Sequence, residues 1–481
     1  MIRRSRIQHA MAQPYRQRFV FAVLAFGIIC RLTQYLIDSS LWYDESFVAL
    51  NVVHKSFSAM FGPLDWNEAS PPGFLVAEKL LVSILGPSEY SLRLLPLLAG
   101  LAALLLFAPL ARRVCGDGPA MLWALIMFAA WPTAISQAGT LKHFSLDMLL
   151  SVLLFSLALP ASETKPGRLF LWGAVSATGL WLSFATVFTF AGTSIVLAAQ
   201  ALRGWSARQR IAFAAANLVT LISLTALTGA ARAQRSAGLM NYWTSHQAFP
   251  DTNGILGSTL WLGQALLAFC AYFWRAPGSI ILLIAAAGAA SFWHARLRAA
   301  TLMLLAPILV AMAASFAHLW PFGGNQHMSF AAPAMLLIVG RGCETIRCWL
   351  SQRRRWLGEA ALAALLGPVL INSAYGALSP RRNSDLRSVV EFFQRRRLPG
   401  DAVIVSDAAT VDFYTGHDFR YDSPPITPSA RLWFISIPGA KPHELDDILN
   451  RRPLLARAES GGAAACLFGP QATGQDIDTR R

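Results

Sequence analysis

The sequence predicts a polytopic all-α membrane protein with about 11 transmembrane helices, a few helices at the outer interface and a small C-terminal soluble α/β domain. Of its 481 residues, 55% are hydrophobic and 14% charged, whereas soluble proteins carry about 25% charged residues. Apolar stretches long enough to cross a bilayer recur along most of the chain. The first stretch lacks a small-residue cleavage site, so we predict a membrane span and not a signal peptide.

The net charge of +15 does not indicate nucleic-acid binding, because the basic residues form short clusters between apolar stretches instead of one continuous patch. Such clusters mark cytoplasmic loops. The basic N-terminus is therefore predicted to be cytoplasmic, and the acidic segment 38–72 extracytoplasmic. The expected location is the bacterial inner membrane. The six cysteines show no metal-ligand spacing.

Two apolar stretches, 73–86 and 256–274, are predicted to be helices that lie along the outer interface. If either of them crossed alone, the Arg353–Arg355 cluster would fall outside the cytoplasm. The remaining stretches are predicted spans, at about 19–37, 90–111, 118–135, 144–160, 168–183, 185–201, 211–229, 278–294, 299–318, 328–347 and 357–376. Two of them, within 168–201, are short and separated by a Ser-Phe-Ala-Thr break.

Four regions follow from this arrangement: a cytoplasmic N-terminus (1–18), a transmembrane domain (19–376), an extracytoplasmic α/β domain (377–470) and a disordered tail (471–481). In the α/β domain, the pattern predicts a helix at 386–397, strands at 402–406 and 432–437, and a helix from Pro442.

An acidic pair, Asp44 and Glu45, follows the first span at the depth where aromatic residues gather. A carboxylate there can act as general base on a sugar hydroxyl, which is a poor nucleophile at neutral pH. The alternative is an acidic turn at the interface. Glu68, just before Pro71-Pro72, could bind a metal ion or an acceptor, and His246 in a later outer loop is its candidate partner.

Lys142 and His143 stand at the outer start of a predicted span, where a cation departs from the positive-inside trend. A phosphate at headgroup depth would explain Lys142; snorkelling is the alternative. Arg93 lies at a similar depth. The Gly-Gly-Asn loop that contains Gln326 and His327 completes the candidate substrate-binding residues.

Phosphate-binding loops, His-Glu-x-x-His and Gly-x-Ser-x-Gly are missing from the sequence. We therefore expect no nucleotide cofactor. An enzyme whose candidate residues all face outward should take its donor from the membrane, and polyprenyl-phosphate sugars are such donors.

These motifs together resemble the GT-C superfamily, and within it glycosyltransferase family 39, which includes protein mannosyltransferases and lipid A aminoarabinose transferases. The resemblance covers about 20–160 and part of 320–345. It is carried by the Asp44-Glu45 pair, the acidic-Pro-Pro segment at 68–72, the segment 90–96 and the basic-aromatic-Leu-Asp segment 142–147. The late loop 321–327 is similar too, although the family often has Arg where this chain has Gln326-His327.

The resemblance implies an inverting transfer in which Asp44 is the catalytic base and Glu45 assists or binds the acceptor. It implies further that Glu68 binds a divalent metal or substrate, that Lys142 contacts the donor phosphate and that Arg93 supports that contact. The partners would be a polyprenyl-phosphate sugar and a lipid, glycan or protein acceptor. A transporter for lipid-linked saccharides and a non-catalytic assembly protein remain as alternatives.

Overall fold

The computed structural model describes residues 2–159, 165–246, 248–250, 254–274, 276–378, 385–437 and 451–471. The helices of the membrane part are α1 Ile2–Leu36, α2 Tyr43–His54, α3 Pro72–Leu85, α4 Glu89–Cys115, α5 Pro119–Ala130, α6 Pro132–Gln137, α7 Phe144–Ala158, α8 Pro166–Leu182, α9 Thr186–Gly204, α10 Ala207–Ala233, α11 Ala237–Ser245, α12 Gly254–Phe273, α13 Gly278–His294, α14 Arg298–Phe316, α15 Ala332–Arg353 and α16 Arg355–Leu378. The C-terminal elements are α17 Leu386–Arg396, β1 Ala402–Val405, α18 Ala408–Thr415, β2 Leu432–Ser436, β3 Leu454–Ser460 and β4 Ala463–Phe468.

The protein is a multi-pass membrane protein, and the predicted spans fall on helical segments. In the described part of the chain, seven helices are long and apolar enough to cross a membrane: Gln17–Leu36 within α1, α4, α9, α10, α12, α14 and Trp356–Leu378 within α16. The helices α5, α7 and α13 are apolar but shorter. The predicted span 118–135 is divided at Trp131, because Pro132 begins a new helix, α6.

Helix α12 differs from the prediction in one respect, because its length and composition would allow it to cross. Its aromatic contacts, however, lie with the end of α14, with the loop that follows and with Trp131 at the end of α5. Trp261 packs on Phe316, Phe269 stacks on Phe322, and the Tyr272 hydroxyl is 3.0 Å from the Ser329 hydroxyl. These contacts agree with a helix that lies along the membrane surface, and that placement stays a prediction. The other predicted interfacial segment is the helix α3.

Helix α15 lies at the centre of the bundle, and its first half, from Ala332 to Gly340, is buried. A Cβ on Gly340 would stand 2.7 Å from the backbone nitrogen of Ala124 in α5. Lipid tails are as apolar as the helix surfaces, so membrane helices associate through such close backbone packing. Gly340 therefore lets α15 approach α5, the helix whose C-terminal end leads into the loop before α7.

The C-terminal domain is a four-stranded sheet in the order β1-β2-β4-β3, with β1 and β2 parallel and the other pairs antiparallel. Helix α17 packs its apolar face, including Val390 and Phe393, against the sheet residue Trp433. The predicted helix at 386–397 and both predicted strands are confirmed. The β3–β4 hairpin was not predicted; it turns at Gly461-Gly462, where both φ angles are positive. The predicted helix from Pro442 and the tail lie outside the described residues.

Candidate active site

The first turn of α2 carries both members of the acidic pair. Trp42 is extended, and α2 begins at Tyr43, which puts Asp44 and Glu45 among the free N–H groups of the helix start. Negative side chains are favoured there by the helix dipole. The two carboxylates have different surroundings, since Glu45 is buried whereas the Asp44 side chain is 26% exposed.

The Glu45 carboxylate accepts hydrogen bonds from Arg93, Leu141 and Trp42. Its two carboxylate oxygens accept hydrogen bonds from Arg93 Nε at 2.8 Å and Nη2 at 2.7 Å. The Leu141 N–H donates to the same carboxylate at 2.8 Å, and the Trp42 N–H donates at 3.3 Å. Arg93 also donates to the Ser39 carbonyl at 2.6 Å. This buried bidentate pair ties the chain before α2 and the loop before α7 to helix α4.

Lys142 stands between the two other acidic residues of the site. Its ammonium is 2.8 Å from Glu68 Oε2 and 3.3 Å from Asp44 Oδ1. Burial disfavours the charged ammonium, but the carboxylates of Glu68 and Asp44 outweigh burial and raise the pKa of Lys142 above its ordinary value. The lysine is therefore a cation at any physiological pH. Glu68 is held further by the Ser70 hydroxyl, which donates to Oε1 at 2.7 Å.

The turn before Glu68 has an unusual backbone. Trp66 and Asn67 both have positive φ, 64° and 55°, which costs energy for a bulky side chain such as Trp. Packing compensates this cost: the Trp66 ring stacks on Phe47 of α2 and carries the Arg420 guanidinium of the C-terminal domain 3.6 Å from its centre. The turn aims Glu68 at Lys142.

Two histidines lie beside the charged cluster. The His327 ring contacts the rings of Phe144, Trp243 and Trp320 edge-on. The backbone N–H of His327 donates to Asn325 Oδ1 at 3.0 Å. Burial lowers the pKa of His327 to about 4, although the nearby Asp44 carboxylate acts in the opposite direction. Burial, with charge repulsion from His327, lowers the pKa of His143 as well. Both are neutral at physiological pH, so they can contact a substrate by hydrogen bonds but not as cations.

Of the remaining predicted site residues, Gln326 begins the one-turn helix that contains His327 and is half-buried. His246 is not brought to Glu68. Its ring contacts Tyr242 and hydrogen-bonds within its own turn, and no contact in the described part of the chain joins it to Glu68. The predicted Glu68–His246 metal pair is therefore not found.

A dedicated metal site does not fit the residues at this position. Over the described ranges, no group of three or more His, Cys, Asp or Glu side chains could hold a metal ion. The carboxylates of Asp44 and Glu68 are both paired with the Lys142 ammonium, a cation that repels a metal ion.

The sequence analysis missed two residues that reach this site from the C-terminal domain. Thr410 Oγ1 is 2.8 Å from Ser46 Oγ in α2, and the Tyr414 hydroxyl accepts a hydrogen bond from the Leu41 N–H at 2.9 Å. These partners are 364 and 373 positions apart in the chain. No local pattern could have revealed them, because the contacts depend on how the domain docks.

No family model matches the chain, and no curated protein matches its sequence. Solved structures do match. The apo crystal structure of ArnT, the lipid A aminoarabinose transferase, from Cupriavidus metallidurans has a TM-score of 0.53 at 12% identity, over 95% of this chain and 98% of that chain. ArnT bound to undecaprenyl phosphate has a TM-score of 0.51 at 13% identity and the same coverage. An oligosaccharyltransferase from Archaeoglobus fulgidus, at 14% identity over 82% of this chain and 61% of that chain, has a TM-score of 0.49.

The chain therefore has the fold of ArnT, a GT-C glycosyltransferase, along almost its whole length. The resemblance to the GT-C superfamily in the sequence predicted this fold, which is confirmed. At this identity the likeness concerns the fold, and the assignment to family 39 stays a prediction.

Proposed function

We propose that the protein is an inverting glycosyltransferase that moves a sugar from a polyprenyl phosphate to an acceptor hydroxyl. One observation supports this proposal most directly. The partly exposed carboxylate of Asp44 lies 3.3 Å from the buried ammonium of Lys142. A general base for the acceptor and a fixed cation for the departing phosphate are the two groups that such a reaction needs.

In the proposed reaction, Asp44 takes the proton of the acceptor hydroxyl while the acceptor oxygen attacks the anomeric carbon. The bond from that carbon to the phosphate oxygen breaks, and its electron pair leaves with polyprenyl phosphate. The sugar has to lie between base and phosphate for inversion, so the Asp44–Lys142 contact opens on binding. Lys142 keeps Glu68 as a partner at 2.8 Å, which holds the ammonium in place for the phosphate.

Glu45 does not share the proton transfer in this proposal, because Arg93 and two backbone N–H groups occupy its carboxylate. His143 and His327, both neutral, would hydrogen-bond the sugar or phosphate. We assign no step to a metal ion.

The proposed donor follows from chemistry and from the shared fold. The sequence lacks the phosphate-binding loop motif of nucleotide-binding proteins, and ArnT, which has the same fold, was crystallised with undecaprenyl phosphate. The proposed location is the outer face of the bacterial inner membrane, with the N-terminus in the cytoplasm and the C-terminal domain on the outer side. The acceptor is a lipid, glycan or protein.

The decisive experiment is product analysis of membranes with and without the gene, followed by transfer assays of the purified protein with polyprenyl-phosphate sugars. We expect Asp44→Asn to lower the transfer rate by about 10²–10⁴-fold while the protein stays monodisperse in detergent. Asp65→Asn, an exposed acidic residue in the same loop, is the matched control and should keep its activity.

Near-wild-type transfer by Asp44→Asn would exclude Asp44 as the base. Unchanged membrane lipids and glycans on deletion, with no transfer from any polyprenyl-phosphate sugar by the wild type, would contradict the proposed function itself.

A further inference from the structure

We propose that helix α18 of the C-terminal domain positions Asp44, and that Tyr414 and Thr410 are positioning residues for the transfer reaction. This inference rests on the proposed function, since it concerns the base of that reaction. It arises from two hydrogen bonds that join α18 to α2 on either side of Asp44.

The first bond holds the chain just before α2. The Tyr414 hydroxyl accepts from the Leu41 N–H at 2.9 Å and donates to Glu89 Oε1 at 2.7 Å. Glu89 is buried at the start of α4 and is also paired with Arg387 at 3.1 Å. A buried N–H group requires a partner, and here the partner comes from another domain. Tyr414 thereby connects the segment before Asp44 to helix α4.

The second bond holds the helix just after Asp44. Thr410 Oγ1 lies 2.8 Å from Ser46 Oγ, and both residues are completely buried. Thr410 is itself fixed, because its N–H donates to Asp407 Oδ1 at 3.1 Å in the N-terminal cap of α18. A buried hydrogen bond between two fixed helices resists sliding of one along the other.

The bracketed segment is short. Leu41 precedes Asp44 by three residues, and Ser46 follows it by two. Further contacts from the same domain hold the segment's beginning, where Arg387 pairs with Asp38 at 2.9 Å and Ser40 donates to Asp385 at 3.0 Å. The Glu45–Arg93 pair holds the opposite side of the turn.

The rate of a reaction that uses a general base depends on where the base lies relative to the reacting group. A shift of about 1 Å in a reacting group can cost about 10²-fold in rate. On the sugar-phosphate side of the site, Lys142 pairs with Glu68, and Glu68 is held by Ser70. Within the described residues, neither Lys142 nor Glu68 forms a hydrogen bond or ion pair with α18. Loss of the α18 contacts should therefore reduce turnover without weakening donor binding.

The test compares Tyr414→Phe and Thr410→Val, which remove one hydroxyl each and preserve shape, with Thr410→Ser, which keeps the hydroxyl. Tyr421→Phe, a highly exposed tyrosine in the same domain, is the control. We expect kcat to fall about tenfold in Tyr414→Phe and Thr410→Val, with the donor KM unchanged. Thr410→Ser and Tyr421→Phe should keep wild-type kcat.

Ser46→Ala removes the same hydrogen bond from the other side, so a failure of Thr410→Val to fold would not prevent the test. The double variant Ser46→Ala/Thr410→Val should lose less than the sum of the two single losses, because both single variants already lack the shared bond. Each single variant also loses one bond of its own, Thr410 to Asp407 Oδ2 and Ser46 to the Trp42 carbonyl. Fully additive losses would overturn the inference.

Three further outcomes also overturn it: wild-type kcat in Tyr414→Phe and Thr410→Val, a Thr410→Ser as slow as Thr410→Val, or a rate loss that disappears when activity is expressed per folded protein. If these occur while Asp44→Asn remains inactive, only the positioning role is wrong. A wild type without transfer activity would instead contradict the proposed function.

Discussion

The Glu45 carboxylate and the Arg93 guanidinium meet through two hydrogen bonds of 2.8 and 2.7 Å, and both side chains are buried. Asp44, the residue before Glu45, instead lies on the partly exposed side, 3.3 Å from the Lys142 ammonium. Two adjacent carboxylates thus have different partners. We expect Glu45 to support the structure and Asp44 to react.

Removal of the charge on Glu45 should destabilise the protein, because Glu45→Gln leaves the Arg93 guanidinium buried without a counter-ion. Breaking a buried pair in this way costs about 3–5 kcal/mol. We expect a lower Tm in detergent, whereas Glu391→Gln, an exposed acidic residue of α17, should leave Tm unchanged. A Glu45→Gln protein with wild-type Tm but without transfer would indicate a catalytic role for Glu45.

Lys142→Met should impair the donor side of the reaction. It removes the only cation within 4 Å of Asp44 and Glu68 among the described ion pairs, so the departing phosphate loses its charge partner. A loss of about 10²–10³-fold in kcat/KM is typical for a group of this kind. Lys142→Arg, which keeps the charge, should retain measurable transfer.

The control for that experiment is Lys55→Met, since Lys55 pairs with the exposed Asp65 in the same loop and should not matter for the rate. If Lys142→Met transferred sugar as fast as Lys55→Met, the ammonium would have no part in the reaction.

Stability should fall as the pH is lowered from about 6.5 to 4. Burial depresses the pKa of His327 to about 4 in the folded protein, below its ordinary value of 6.5. Between these values the unfolded chain binds the proton and the folded protein does not, so acid favours unfolding. The full effect is about 3 kcal/mol, and it is absent above pH 6.5.

Tm measured across this pH range should therefore show a smaller decline in His327→Gln than in the wild type. A residual decline is expected from His143, whose pKa is lowered in the same direction. His246→Gln, which changes an exposed ring, is the matched variant. An identical pH profile in His327→Gln and the wild type would show that His327 does not remain neutral in the folded state.

The orientation can be tested with two exposed positions at opposite ends of the molecule. Cys348, near the end of α15, is exposed and should be cytoplasmic; Tyr421, in the C-terminal domain, is also exposed and should be outside. An impermeant maleimide should label Tyr421→Cys/Cys348→Ser in intact spheroplasts, and the wild-type Cys348 only after permeabilisation. The reverse pattern would invert the proposed topology.

The helices of the membrane part were predictable because hydropathy is a local property. Even the break between α8 and α9 was visible as a Ser-Phe-Ala-Thr segment, and the strands β1 and β2 were visible as short apolar runs. The hairpin of β3 and β4 was missed, since its two glycines were not interpreted as a turn. The division of the span 118–135 at Trp131 was also not predicted, although Pro132, which begins the second helix, stands in the sequence at that point.

The residues of the candidate site could be predicted from the sequence, but the sequence did not show which of them form ion pairs with one another. The sequence placed Asp44, Glu68, Arg93, Lys142 and His327 near one membrane depth. The structure pairs Lys142 with Asp44 and Glu68, whereas Arg93 pairs with Glu45. The structure does not bring Glu68 and His246 together. The sequence indicated only that both residues lie on the same side of the membrane, which sets depth but not lateral position.

The sequence by itself determined which segments are apolar enough to enter the membrane and which ionisable residues stand at their ends, because both depend on residues that are neighbours in the chain. Only the tertiary structure decided that Glu45 faces Arg93 while Asp44 faces Lys142. Successive side chains on a helix point about 100° apart, so one carboxylate can be buried against α4 while the next stays open. Which one is buried depends on where α4, the loop before α7 and helix α18 pack, and that packing joins residues up to 373 positions apart.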